Sequence, residues 1–245
     1  MAPRQSAGAG DPHMSDSAGF TPAAVKFLAA LRRHNDRAWF ADHKDRCEAV
    51  LLGPARDLVV DLGRRLQKKR PDLIADPRTD RSIYRLNRDT RFSPDKTPYK
   101  THLALWLWEG AAARLECPGF YFHLAPDFLG LSVGCYRFSD QGLAAWRAKV
   151  AEPKTTARLR RLIRNMDAAG LYHAEPELKR VPSGFAPDHP AADFLRHKGF
   201  YTWSEIRPHP PEIFGPGAAG YIFRRWSAGF RLHALLSEIL NGAPE

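Results

Sequence analysis

The chain has 245 residues, of which 44% are hydrophobic and 26% charged, and 37 Lys and Arg stand against 27 Asp and Glu for a formal net charge of +10. This is the composition of a soluble globular protein with a sizeable core. The lack of any long apolar run excludes a conventional membrane span. The positive balance favours phosphate-bearing or otherwise acidic partners.

Residues 1–18 are small and polar and read as a disordered tail ahead of a domain over 19–245. No apolar segment of secretory type opens the chain. The three cysteines, Cys47, Cys117 and Cys135, are odd in number and lack C-x-x-C spacing, so neither a disulfide framework nor a zinc site is expected. Reduced thiols and no leader point to a cytoplasmic protein.

Order begins at FTPAAVKFLAALRR, where Thr21 can cap, Pro22 suits the first helical position, and Ala24, Phe27, Leu28 and Leu31 form an apolar stripe. A second helix starts at Asn35 or Asp36, with Trp39, Phe40, His43, Cys47 and Val50 on one side. Gly53-Pro54 punctuates, and Leu58, Val59, Leu62 and Leu66 mark a third helix. Helices this short need a surface to bury their stripes.

That surface follows. THLALWLWEG, GFYFHLAP and FLGLSVGCYRF alternate with period two and are joined by short turns, which predicts an antiparallel meander. If Pro126-Asp127 is the turn, Leu124 lies opposite Leu129 on an apolar face. His123 then faces Gly130 and Tyr121 faces Ser132, with His102, Trp106 and Trp108 sharing this second face. Such a face can accept a helix or wall a pocket, and a packed helix is the expectation. GLAAWRAKV and KTTARLRRLIRNMDAAG return to helical spacing, a strand is expected near Phe200–Ile206, and one helix over Ala218–Leu240 closes the chain. The fold class is α+β: one domain, an antiparallel sheet flanked by N- and C-terminal helices.

The densest chemistry lies at RLNRDTRFSPDKTPYKTH, residues 85–102, which reads as a loop between two strand-like stretches. Arg85, Arg88, Arg91, Lys96 and Lys100 offer five cations that Asp89 and Asp95 can orient, and Ser93-Pro94-Asp95-Lys96 has turn chemistry. Arg forks bind phosphate or carboxylate bidentately. The loop is therefore a candidate anion site, with Tyr99 at its exit, although an Arg–Asp network tying the loop to the sheet edge explains the same residues. If chemistry follows binding, hydrolysis or transfer on a phosphate or carboxylate ester is expected, with Asp89, His43 or His102 as proton carriers. His43 reads equally as a core histidine. His102 and His123 can meet across strands, but no third ligand accompanies them, so no metal site is expected, and no cofactor is identified. The arginines of the 154–166 helix support an alternative, sequence-independent nucleic-acid binding. A partner-binding protein with a purely architectural loop is the third reading.

FLAALRRHNDRAWFADHK, SIYRLNRDTRFSPDKTPYKTHLALWLW, PGFYFHLAPDFLGLSVGCYRF and LKRVPSGFAPDHP resemble, in this order, the blocks of an uncharacterised bacterial and fungal family called domain of unknown function 2461. The likeness runs from about Phe20 to Trp203. It departs at Cys47, where the family's helix is expected to carry an aromatic residue. The resemblance implies a single soluble α+β domain and assigns no activity, substrate or catalytic residue.

Overall fold

A computed structural model describes residues 18–242. The expected tail, apart from residue 18, lies outside the described residues. The first third is helical: α1 (Pro22–Arg33), α2 (Arg37–Asp42), α3 (Lys44–Cys47) and α4 (Gly53–Gln67). Asp36 caps α2 by accepting the Trp39 N–H at 2.8 Å. Gly53-Pro54 does not break the chain's helical course. A wide π-turn over Glu48–Leu52 leads directly into α4, with the Gly53 N–H reaching back to the Glu48 carbonyl. Pro54 lacks an N–H, but in the first turn of α4 none is needed.

The sheet has strands β1 (Leu103–Trp108), β2 (Gly119–Leu124), β3 (Leu129–Cys135), β4 (Tyr172–His173) and β5 (Phe200–Ile206), in the antiparallel order β1-β2-β3-β5-β4. Leu124 pairs with Leu129, His123 with Gly130 and Tyr121 with Ser132, the register that the apolar alternation requires. The Ala125 N–H donates to the Phe128 carbonyl at 3.0 Å and closes the turn. The stretch before the basic loop is less regular than a strand. Ile83 bridges Leu105 singly, and the Tyr84 and Trp106 N–H groups donate to the Ala104 and Ser82 carbonyls.

One face of the sheet is the core. Leu103, Leu105, Leu107, Phe120, Phe122, Leu124, Leu131 and Val133 are fully buried against α1, α4 and α8 (Ala218–Ser227). Each large side chain so buried contributes about 1.5–3 kcal/mol. At the far end of that face, Cys135 and Phe200 join a second cluster with α5 (Asp140–Ala151), α6 (Pro153–Ala168), α7 (Ala192–Leu195) and α9 (Phe230–Asn241). The C-terminal helix expected as one rod is two, α8 and α9, divided at Gly229. A Cβ there would lie 2.8 Å from the Val133 side chain, so the bend brings backbone directly onto β3. All three cysteines are free and buried. Among the described residues no helix is long and apolar enough to cross a membrane.

Candidate functional site

Among the described residues no α-helix covers the other face of the sheet, only a short 3-10 turn at Arg114–Glu116. This face is the floor of an open cavity of about 890 Å³ that runs from His102, just before β1, and Ala104 on β1 to Tyr172 and His173 on β4. Five strands at their usual spacing make this floor roughly 19 Å across. Trp106, Tyr121, His123 and Trp203 pave it, Tyr84 and Lys100 form one end, and Leu115, Tyr136 and Tyr172 stand exposed at the mouth. Among the described residues the expected covering helix is absent, because the α-helices pack on the opposite face and beyond the end of the sheet.

Glycines let the aromatic rings lie flat on the backbone. A Cβ on Gly119 would sit 2.9 Å from the Trp106 ring, and one on Gly130 would sit 2.4 Å from Trp203. Gly130→Ala is therefore expected to push the Trp203 indole into the cavity. Overpacking of this kind costs about 1–3 kcal/mol. Denaturant midpoints and tryptophan emission check it, and a variant matching wild type in both contradicts the packing described here.

Two histidines and a tyrosine on the cavity floor and edge are held neutral by burial. His102 stacks on His123 with centroids 4.2 Å apart, and the Tyr121 hydroxyl lies 3.2 Å from His123 Nδ1. Burial, with Lys100 adding, pushes His102 down to about 4; burial, with His102 adding, pushes His123 down to about 3. Burial likewise raises the Tyr121 phenol. Two charged side chains line the cavity. Glu205 is bonded by Arg207 Nε at 2.6 Å. The Lys100 ammonium has no hydrogen-bonding or ion-pair partner among the described residues. It stands 5.4 Å from the Tyr84 ring centre, while the Arg114 guanidinium covers that ring at 4.1 Å. Burial first, then Arg114 and Arg85, lower the Lys100 pKa.

The loop residues singled out by sequence divide sharply. Arg85 pairs with Asp80 at 2.7 Å, Arg88 with Asp95 and Thr97, and Arg91 with Asp89 at 2.7 Å, while Lys96 donates to the Thr90 carbonyl at 2.9 Å. None of these four lines the cavity. Asp89 is bonded by Arg91 through both oxygens and held down at about 2, which makes it a poor proton acceptor. His43 stacks on Trp39 at 4.0 Å and donates from Nδ1 to the Trp39 carbonyl at 2.8 Å, also away from the cavity. Of the expected site residues, Lys100 and His102 enter the cavity, whereas Tyr99 points to the other side and stacks on Phe40 at 4.2 Å. Sequence reasoning missed Tyr84, Tyr136, Tyr201 and Trp203 as lining. Their one signal is aromatic residues alternating with glycine-bearing strands. On α6, Arg158 pairs with Glu238 at 3.1 Å and Arg160 donates to the Pro190 carbonyl at 2.6 Å, so the basic stripe is partly engaged within the fold. Among the described residues no three His, Cys, Asp or Glu side chains gather as a metal site.

No curated protein and no solved structure matches the chain. A family model described as "Conserved hypothetical protein (DUF2461)" matches residues 23–228, which take in the helical third, the basic loop and every strand of the sheet. The chain belongs to the DUF2461 family of conserved hypothetical proteins.

Proposed function

We propose that this protein binds a small molecule with a planar, mostly apolar body and one anionic group, in the cavity on the open face of the sheet. The observation that carries the reading is Lys100, a half-buried cation without a hydrogen-bonding or ion-pair partner among the described residues, at one end of an aromatic-lined cavity. A volume of about 890 Å³ suits a small molecule. Trp106, Tyr121 and Trp203 offer ring faces for stacking. Lys100 is repelled by Arg114 and Arg85 more than Asp80 attracts it, and a carboxylate, sulfonate or phosphate would supply the missing contact. The reading is one of binding: Asp89 and His43 lie outside the cavity, and His102 is held too low to be a strong base at neutral pH.

Anilinonaphthalene sulfonate and phenyl-naphthylamine, which share an aromatic body and differ in the anion, test this directly by fluorescence titration. Both are expected to bind wild type. A hydrogen bond to a charged group contributes about 1.5–3 kcal/mol, so Lys100→Met should weaken the sulfonate about tenfold or more and leave the uncharged dye unchanged. Equal weakening of both dyes, or none of either, removes Lys100 from the site. Failure of both to bind wild type removes the reading.

A further inference from the structure

Residues 98–100 separate two clefts. Lys100 faces the aromatic cavity, while Pro98 and Tyr99 help line a second cleft of about 410 Å³ between residues 35–37 and the basic loop. This second cleft is firmly built. Asn35 Nδ2 donates to the Tyr99 carbonyl at 2.9 Å, and the Tyr99 N–H donates to Asn35 Oδ1 at 3.0 Å. The Arg88 N–H donates to the Pro98 carbonyl at 2.8 Å, and a bridge joins Asn87 to Tyr99. The start of α2 and both arms of the loop are thereby held in one arrangement.

Its charge is unbalanced. Arg37, Arg88 and Lys96 line the cleft with a single carboxylate, Asp36, and Asp36 Oδ1 already accepts the Trp39 N–H. The Arg37 guanidinium makes no hydrogen bond or ion pair among the described residues. Lys96 meets only a backbone carbonyl, at 2.9 Å. Arg88 is anchored through Nη1 to Asp95 and Thr97 and through Nη2 to Ser93 at 3.5 Å, which leaves its Nε without a partner among the described residues. This is unlike Arg85 and Arg91, whose Nε atoms are bonded to Asp80 and Asp89. The remaining lining is polar at Asn35, Asn87 and Thr90, with Pro98 and one aromatic residue, Tyr99, whose ring is stacked on Phe40.

We infer that this cleft is a second, separate anion site that takes the phosphate or diphosphate group of a small molecule. Arg37, Arg88 and Lys96 stand against Asp36 and against Asp95, which is already paired with Arg88, so one positive charge is left over, and several donors converge as the oxygens of a phosphate group require. Arg37 supplies a fork of donors and Arg88 its Nε, with Lys96 as a point charge. The inference does not depend on the occupant of the aromatic cavity.

Inorganic phosphate and pyrophosphate are the probes, titrated calorimetrically at constant ionic strength adjusted with sodium chloride. Wild type, Arg37→Gln and Lys96→Gln are compared with Arg64→Gln, an equal charge loss on exposed α4 surface outside both clefts. Saturable binding is expected for pyrophosphate and more weakly for phosphate, falling about tenfold or more in Arg37→Gln and in Lys96→Gln and holding in Arg64→Gln. Arg37 and Lys96 are exposed, so both variants should keep the wild-type melting temperature without ligand. The two dyes should bind both variants as they bind wild type, which separates this site from the cavity. No saturable binding by wild type overturns the inference. So does binding that survives both cleft substitutions, or that falls equally in Arg64→Gln.

Discussion

Lowering the pH from 6.5 to about 5 is expected to remove several kcal/mol of folding stability, before most carboxylates titrate. Four histidines are held neutral, His197 and His233 buried and His102 and His123 half-buried: His102, His197 and His233 are pushed down to about 4 and His123 to about 3, in each case mainly by burial. Unfolded, the same rings take up protons from 6.5 downward. Between 6.5 and about 4 the unfolded chain therefore binds more protons than the folded one, and stability falls as pH falls. Above 6.5 their contribution is fully present. Each tenfold loss of proton affinity on folding corresponds to about 1.4 kcal/mol, so even partial relief by water entry leaves a total on the order of 5 kcal/mol. The paired acids Asp76, Asp89 and Asp95, held at about 2 by hydrogen bonds from Arg78, Arg91 and Arg88, act in a separate window below 4. Urea midpoints at pH 7.5, 6.5, 5.5 and 4.5, a spacing of about one pH unit chosen to resolve one titration step, check the expectation. A flat profile down to pH 5 contradicts it.

The second large effect is expected at Glu109, which sits just beyond β1 and is 8% exposed. Arg70, beyond the C-terminus of α4, grips it twice, Nε to Oε2 at 2.7 Å and Nη2 to Oε1 at 2.5 Å. The Glu109 N–H donates to the Pro118 carbonyl at 2.9 Å, and Asn241 Nδ2 donates to the Glu109 carbonyl at 3.3 Å, so helix, sheet and C-terminus meet here. His233 Nδ1 stands 3.8 Å from Glu109 Oε2, and neither of its ring nitrogens has a hydrogen-bond partner among the described residues. Glu109→Ala leaves the Arg70 guanidinium against a neutral imidazole and should cost about 3 kcal/mol, the lower end for a broken buried pair because Arg70 is partly exposed. Arg70→Ala and the double variant complete a cycle whose coupling energy should carry most of that loss. A Glu109→Ala protein within about 0.5 kcal/mol of wild type, the range of ordinary surface substitutions, contradicts the role given to the pair.

Strand register was legible because a one-residue slip would turn Leu103, Leu105 and Leu107 away from the core. What covers the opposite face was not. Alternation defines two faces but names no partner for either, and Tyr84, Tyr136 and Tyr172 come to the cavity from three separate segments. The basic loop shows the same limit. The run of cations marks a charged loop, but the partner of each depends on geometry: Arg91 finds Asp89 two residues away, whereas Arg85 turns back to Asp80. That Tyr99 and Lys100 face opposite sites follows once the 98–100 segment is extended. The contribution of Arg37, brought to the loop by the Asn35–Tyr99 bonds, had no local signal at all. Where the terminal helix bends was written in Gly229, but only its contact with Val133 gives the bend a cause.

The occupancy of the open face is most directly measured by mapping amide, indole and imidazole NMR shifts as anilinonaphthalene sulfonate is added. The account predicts that the largest changes fall on the Trp106 and Trp203 indoles and on His102 and His123, all on the cavity floor or its edge. Trp146 and Trp226, fully buried in the two cores, should stay in place. Largest changes at the core tryptophans, or at exposed Phe92 with Trp106 and Trp203 unmoved, would contradict it.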